Sequence, residues 1–204
     1  MKSISFFKNK PTRPIITSPL QFEIVYINIP FAILLNKEWH SRLPIFKSPY
    51  ITKKHISFGA RYKSCWYASA IWTPPISRLF NNRGFLELRR MAIAPDAPKN
   101  TASRMLSIMC KNIKARFPDI WKLISYQDTD VHLGTIYKAS GWILAAKSHK
   151  SNWHKGQWSK GRKIRSSDYQ APGVKIRWER DIRKEPKKNK IRRKILLKRR
   201  ISNL

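Results

Sequence analysis

Residues 84–142 constrain this chain most, because they read as strand, helix, strand and helix in turn, with polar residues at each junction. A chain built on such a unit has to lay helices against a sheet. Residues 84–93 form a strand pattern that stops at Pro95 and Pro98, since prolines so close together break a ladder and force a turn. A helix is predicted to follow at once. Asn100, Thr101 and Ser103 supply capping side chains, and Ala102, Met105, Leu106, Met109, Ile113 and Phe117 recur at helical spacing. Arg104, Lys111, Lys114 and Arg116 fall largely off that face, and Pro118 with Asp119 ends it. A second strand is expected over 120–126, and a second helix over about 131–139, closed by Gly141 just past its end.

The remaining segments arrange themselves around this unit. Residues 1–20 mix lysine, serine and proline without a period and read as a loose arm. A strand is predicted over 21–29, after which Pro30 opens a helix carrying Ala32, Ile33, Leu35 and Trp39. Alternating residues predict adjoining strands at 51–60 and 62–72, joined by a hairpin at 61–63. Residues 76–83 form a basic, irregular connection, and short strands are predicted at 142–146 and 174–178. The expectation is an α/β (α+β) fold: a mixed, twisted sheet of six to seven strands with helices on both faces, spanning 21–182, followed by a basic tail at 183–204.

Charge narrows the partner. Against 11 acidic residues stand 43 Lys and Arg, a formal net charge of +32, which self-repels unless a polyanion neutralises it. DNA or another nucleic acid is the leading partner. A membrane is not, because the longest apolar stretch, 24–35, carries Tyr26, Asn28 and Pro30 and falls short of the roughly 20 apolar residues a span needs. The N-terminus shows no signal-peptide pattern, so a cytoplasmic location is expected. Cys65 and Cys110 are too few for a zinc quartet or a disulfide framework, and the five histidines show no tight ligand spacing.

The densest binding signal lies in 147–165, with seven Lys/Arg, no acid and two tryptophans. Lys147, Lys150, Lys155, Lys160, Arg162 and Lys163 can hold phosphates while Trp153 and Trp158 stack on bases, or the two rings simply anchor a solvated loop. The tail adds eleven Lys/Arg against one acid, Glu185.

Ile136, Tyr137, Gly141 and Trp142 together resemble the tyrosine, glycine and aromatic signature of the Gcn5-related N-acetyltransferase (GNAT) fold. Three further pieces sharpen it: 87–91, 98–103, and 125–130 followed by His132, Gly134, Thr135 and Tyr137. Together they are similar to the phage Mom-type DNA adenine-modification proteins, a branch of that fold, over about 26–153.

The resemblance implies an acyl donor, acetyl-CoA or another acyl-CoA, whose phosphates meet the start of the helix after the fourth strand. Lys99, Asn100, Thr101 and Ser103 stand there, with Arg90 as a further family position, but the glycine-rich loop of the wider family is absent: no glycine lies between Gly84 and Gly134. Asp128 is the candidate base, being one of few acids and following a strand where such sheets open their crevice. Tyr137 resembles the tyrosine that protonates a leaving thiolate. His40 matches a histidine-bearing segment after the first helix, although a solvent-facing histidine at a helix end is an equal alternative. Iron is possible on family grounds alone. For Asp128 and Tyr137 the alternative is a capping and a core role. The expected function is addition of a small acyl-derived group to adenine N6 in DNA, protecting it from restriction. An acetyltransferase acting on a protein or small amine, and a non-catalytic basic nucleic-acid-binding protein, are the rivals.

Overall fold

A computed structural model describes residues 13–40, 55–77, 80, 83–147, 174–184 and 186 of the chain. Most of the basic segment at 147–165 and of the tail lies outside these residues. Among them seven strands form one sheet: β1 (Glu23–Tyr26), β2 (Ile56–Tyr62), β3 (Cys65–Thr73), β4 (Phe85–Ile93), β5 (Lys122–Asp128), β6 (Ile143–Lys147) and β7 (Lys175–Asp181). Three helices accompany them: α1 (Ile29–Trp39), α2 (Thr101–Arg116) and α3 (Thr135–Ala139). The spatial order is β1-β2-β3-β4-β5-β7-β6, and every neighbouring pair is antiparallel except β4 and β5. That parallel step follows from the connection, because a crossover helix, α2, must lie between them.

The helices cover opposite faces. Ile29 and Ala32 of α1 pack on Ile71 of β3. Met105, Leu106, Met109 and Ile113 of α2 join Leu86, Leu88 and Leu123 in the main core. The helical repeat expected for α2 is thus the buried face, while Lys111, Lys114 and Arg116 stay exposed. Asn28 caps α1 by accepting from the Phe31 N–H at 2.9 Å, with Pro30 in its first turn.

Several element ends differ from expectation by a few residues, and three of the differences have a local cause. The first strand starts only at Glu23, because Ser18 and Gln21 close a capping box around a 3-10 turn at Pro19–Gln21. The third helix begins at Thr135 rather than near 131, because Gly134 takes a left-handed φ of 73° and Gln127 holds the carbonyl of His132. The last strand runs on to Asp181, where Lys122 pairs with both Glu179 and Asp181 at 2.8 and 3.1 Å. Residues 13–18 lie against the core: the Tyr67 hydroxyl donates to the Pro14 carbonyl at 2.7 Å, and Arg13 pairs with Asp96 at 2.8 Å.

Candidate active site

The opening in the sheet arises from two local features of β4. Ile71 of β3 faces Arg90 while Trp72 faces Leu88, so Arg89 is an extra, bulged residue. Ladder pairing between β4 and β5 then ends at Leu88 and Ser125, although the strands run on to Ile93 and Asp128. Past that point they no longer pair, and a crevice opens between their C-terminal ends, where ligands bind in sheets of this kind.

Strand alternation decides what faces the opening from each side. Glu87 and Arg90 of β4, and Tyr126 and Asp128 of β5, share the α1 face. His40, which caps the end of α1, comes close to Arg90 and to His132 in the loop after β5. Burial foremost, then the charge of Arg90 and the proximity of His132, hold its imidazole below the ordinary value. Its Nδ1 is buried and has no hydrogen-bond partner among the described residues. A neutral imidazole with an unengaged nitrogen is able to accept a proton.

Arg90 is mostly buried, and desolvation lowers its pKa to about 10, which still leaves it charged at neutral pH. Glu87 pairs with Arg89 at 2.9 Å, and the Arg90 guanidinium donates to the Arg89 carbonyl at 2.8 Å. Asp128 ends β5. One carboxylate oxygen meets Lys175 at 2.5 Å and the other accepts the Asp130 N–H at 3.1 Å, so the side chain also forms the turn that follows.

Tyr137 issues from the opposite face. Its hydroxyl lies 2.9 Å from Ser125 Oγ, its ring stacks on Trp178 at 5.4 Å, and Trp142 meets it edge-on at 5.6 Å. Burial raises its pKa, opposed in part by the Ser125 hydrogen bond, so the phenol remains protonated at neutral pH. The residue is therefore a core part whose hydroxyl keeps its proton. Asp128 and Tyr137 thus stand on opposite faces of one strand end, whereas His40, Arg90 and His132 gather on the α1 side.

At the start of α2, Asn100 takes a left-handed φ of 66° and makes no side-chain cap. Asparagine tolerates that region better than most residues, so the chain turns sharply here without a glycine. Thr101 Oγ1 donates to the Pro98 carbonyl at 2.6 Å and Ser103 Oγ to the Asn100 carbonyl at 3.0 Å, so these hydroxyls brace the turn. The uncapped first-turn N–H groups and the helix dipole remain for an anion. Beside them opens a cleft of about 390 Å³, with Asn100, Ser103, Arg104, Ser107 and Lys111 on one wall and Leu20 opposite. This donor set fits a phosphate-bearing acyl carrier.

Among the described residues no three His, Cys, Asp or Glu side chains converge to hold a metal. Lys147 is described and exposed at the end of β6, while Lys150, Trp153, Lys155, Trp158, Lys160, Arg162 and Lys163 lie outside the described residues.

His132, Ser125, Gln127, Lys175 and Arg104 take part here without having been singled out as site residues. Ser125 and Gln127 carried a readable mark, polar residues two apart on the inward side of an apolar strand; Lys175 pairs across strands far apart in sequence and carried none.

The solved structures similar to this chain share its architecture. The ribosomal-protein-S18-alanine N-acetyltransferase of Escherichia coli superposes with a TM-score of 0.56 at 12% identity, covering 81% of this chain and 97% of that one. An N-acetyltransferase from Staphylococcus aureus Mu50 gives 0.53 at 12% identity, over 79% and 97%. A Bacillus subtilis acetyltransferase solved in complex with CoA gives 0.51 at 10% identity, also over 79% and 97%. The fold is that of the GNAT acetyltransferases. In sequence, the chain is 33% identical over 75 residues to the methylcarbamoylase Mom of Escherichia phage Mu, a stretch covering 36% of this chain and 31% of that protein. The aligned stretch thus spans about a third of the Mu protein's length. The Mom protein family matches residues 67–202, about two thirds of the chain, a span that takes in the bulged β4, the start of α2, Asp128 and Tyr137, and the chain belongs to that family.

Proposed function

We propose that the chain is a DNA-modifying transferase that adds a small acyl-derived group to adenine N6 and so hides restriction sites. The observation that supports this best is the crevice between β4 and β5 in a Mom-family chain, with proton acceptors on one face and Tyr137 on the other. The Mu relative's name makes a methylcarbamoyl group the first to look for. The charge of +32 suits DNA as the partner, met in the host cytoplasm if a phage encodes the chain.

The exocyclic amine of adenine is a poor nucleophile, because its lone pair is delocalised into the ring. Modification therefore needs positioning and a place for the proton. On this reading Asp128 accepts a hydrogen bond or the proton from the amine, held in orientation by Lys175, and His40 is the alternative acceptor. Arg90 keeps a positive charge at the crevice wall, where negative charge develops on a carbonyl oxygen. Tyr137 gives its phenolic proton to the leaving group, while Ser125 turns its hydroxyl hydrogen toward the phenolate.

A bound acyl thioester would supply the activated carbonyl carbon. Lys99, Asn100, Thr101 and Ser103 would hold its phosphates, chiefly through backbone amides, with Arg104 and Lys111 flanking the cleft.

The experiment is nucleoside mass spectrometry of host DNA after expression of the chain and of Asp128→Asn. A new adenine derivative with the wild type, absent with the variant, is the expected result. Unmodified adenine in both would overturn the reading.

A further inference from the structure

The loop between β5 and α3 is braced at its base and apolar at its tip. Asp128 holds its start, receiving the Asp130 N–H on its carboxylate and the His132 N–H on its carbonyl, at 3.1 and 3.0 Å. Thr129 donates both N–H and hydroxyl to the Val174 carbonyl. From beneath, buried Gln127 donates to the His132 carbonyl while accepting from the Trp178 indole at 2.7 Å. Gly134 closes the loop at a φ of 73°, so near Gln127 and Trp178 that a Cβ would come to 2.4 Å from the side-chain amide oxygen of Gln127. On this frame Leu133 is 88% exposed, and Val131 two residues earlier is 38% exposed. Between them His132 reaches toward His40 at the crevice mouth.

A braced loop that presents leucine to solvent beside a crevice gains nothing in stability from that side chain. Apolar wedges of this kind enter base steps in DNA-bending and base-extruding proteins. The N6 amine of adenine in a duplex lies in the base pair, out of reach of a crevice at a sheet end, so the base has to leave the stack. The strongly basic chain favours a duplex partner at this surface over an apolar protein.

We propose that Leu133 is a wedge that inserts into the base stack of duplex DNA and fills the place of the adenine extruded into the β4–β5 crevice. The proposal rests on the DNA-modifying reading. The leucine side chain contributes to extrusion and is not needed once the base is already free.

The test compares wild type, Leu133→Ala, Leu133→Met and, as an exposed apolar residue elsewhere, Ile143→Ala, which is 71% exposed in the wild type on β6. Modification is measured on duplex and on single-stranded DNA of the same sequence. Brightening of a duplex in which 2-aminopurine replaces adenine reports unstacking without any chemistry. Leu133→Ala should modify duplex roughly tenfold less, keep its activity on single strands, and lose the brightening. Leu133→Met, still a wedge, should retain all three, and Ile143→Ala should behave as wild type. Equal activity of Leu133→Ala and wild type on duplex, or equal losses on both substrates, would overturn the wedge. Should the wild type modify no DNA at all, the modification reading fails. The wedge is then decided by 2-aminopurine alone: brightening by wild type but not by Leu133→Ala supports it, and no brightening by wild type overturns it.

Discussion

At the level of single residues, the candidate side chains have structural partners as well as the chemistry proposed for them, so substitutions have to separate the two. Tyr137→Phe keeps the ring against Trp178 and Trp142 and removes only the hydroxyl that meets Ser125. Its stability cost should be about 1 kcal/mol, while modification is abolished. A fully active variant would remove Tyr137 from the proton path. Asp128→Asn can still accept the Asp130 N–H but leaves Lys175 without its carboxylate. It should cost about 1 kcal/mol in stability, leave DNA affinity unchanged, and end modification. His40 carries a pH signature. Because the folded protein holds its imidazole below the ordinary 6.5, the unfolded chain binds that proton more readily. The stability associated with neutral His40 is complete above 6.5 and declines as pH falls through the lowered folded value. Thermal melting of His40→Gln should accordingly fall less than wild type as pH drops from 6.5 through that lowered value, and parallel declines across that window would show that His40 is not the titrating group.

Elements decide how much of this is legible in the sequence. The unit from β4 through α2 to β5 can be read because its periods switch cleanly and proline marks each end. Arg89's bulge cannot, since Leu88, Arg89 and Arg90 look like an ordinary strand; only the register against β3 shows that one residue is extra. Yet that bulge and the end of β4–β5 pairing make the crevice. The helix start illustrates the converse. Asn100 is legible as a capping residue, but its role is different: it supplies the left-handed turn and caps nothing. Asn100→Gly should therefore be tolerated, whereas Asn100→Ala should cost about 1 kcal/mol or more from the left-handed strain. Similarly, Gly134→Ala meets both a φ of 73° and the side-chain amide oxygen of Gln127, so roughly 2 kcal/mol or more is expected. These variants are checked by chemical denaturation; unchanged midpoints in the alanine variants would show that these turns relax freely.

For the molecule as a whole, on the proposed function charge and fold divide the work, the fold forming the crevice and the excess of 43 Lys/Arg over 11 acids bringing DNA to it. Where a truncation can begin is decided by the packing at the end of β7. Ile182 is buried with its N–H on the Trp121 carbonyl at 2.9 Å, and the Arg183 guanidinium donates to the carbonyls of Phe117 and Ile120 at 3.1 and 2.7 Å. Cutting at 183 would remove these hydrogen bonds along with charge. Removing 185–204 keeps them and still deletes nine Lys/Arg. The truncated protein should fold with an unchanged melting temperature and bind all DNA sequences more weakly by a similar factor, because phosphate contacts carry no sequence information. Each phosphate no longer neutralised should flatten the slope of log affinity against log salt by about 0.9 on duplex DNA. Modification per bound complex should persist, since His40, Arg90, Asp128 and Tyr137 all remain. An unchanged slope would place the tail off the DNA and assign the electrostatic surface to the segment 147–165. A lowered melting temperature would mean that residues past Lys184 also belong to the folded unit.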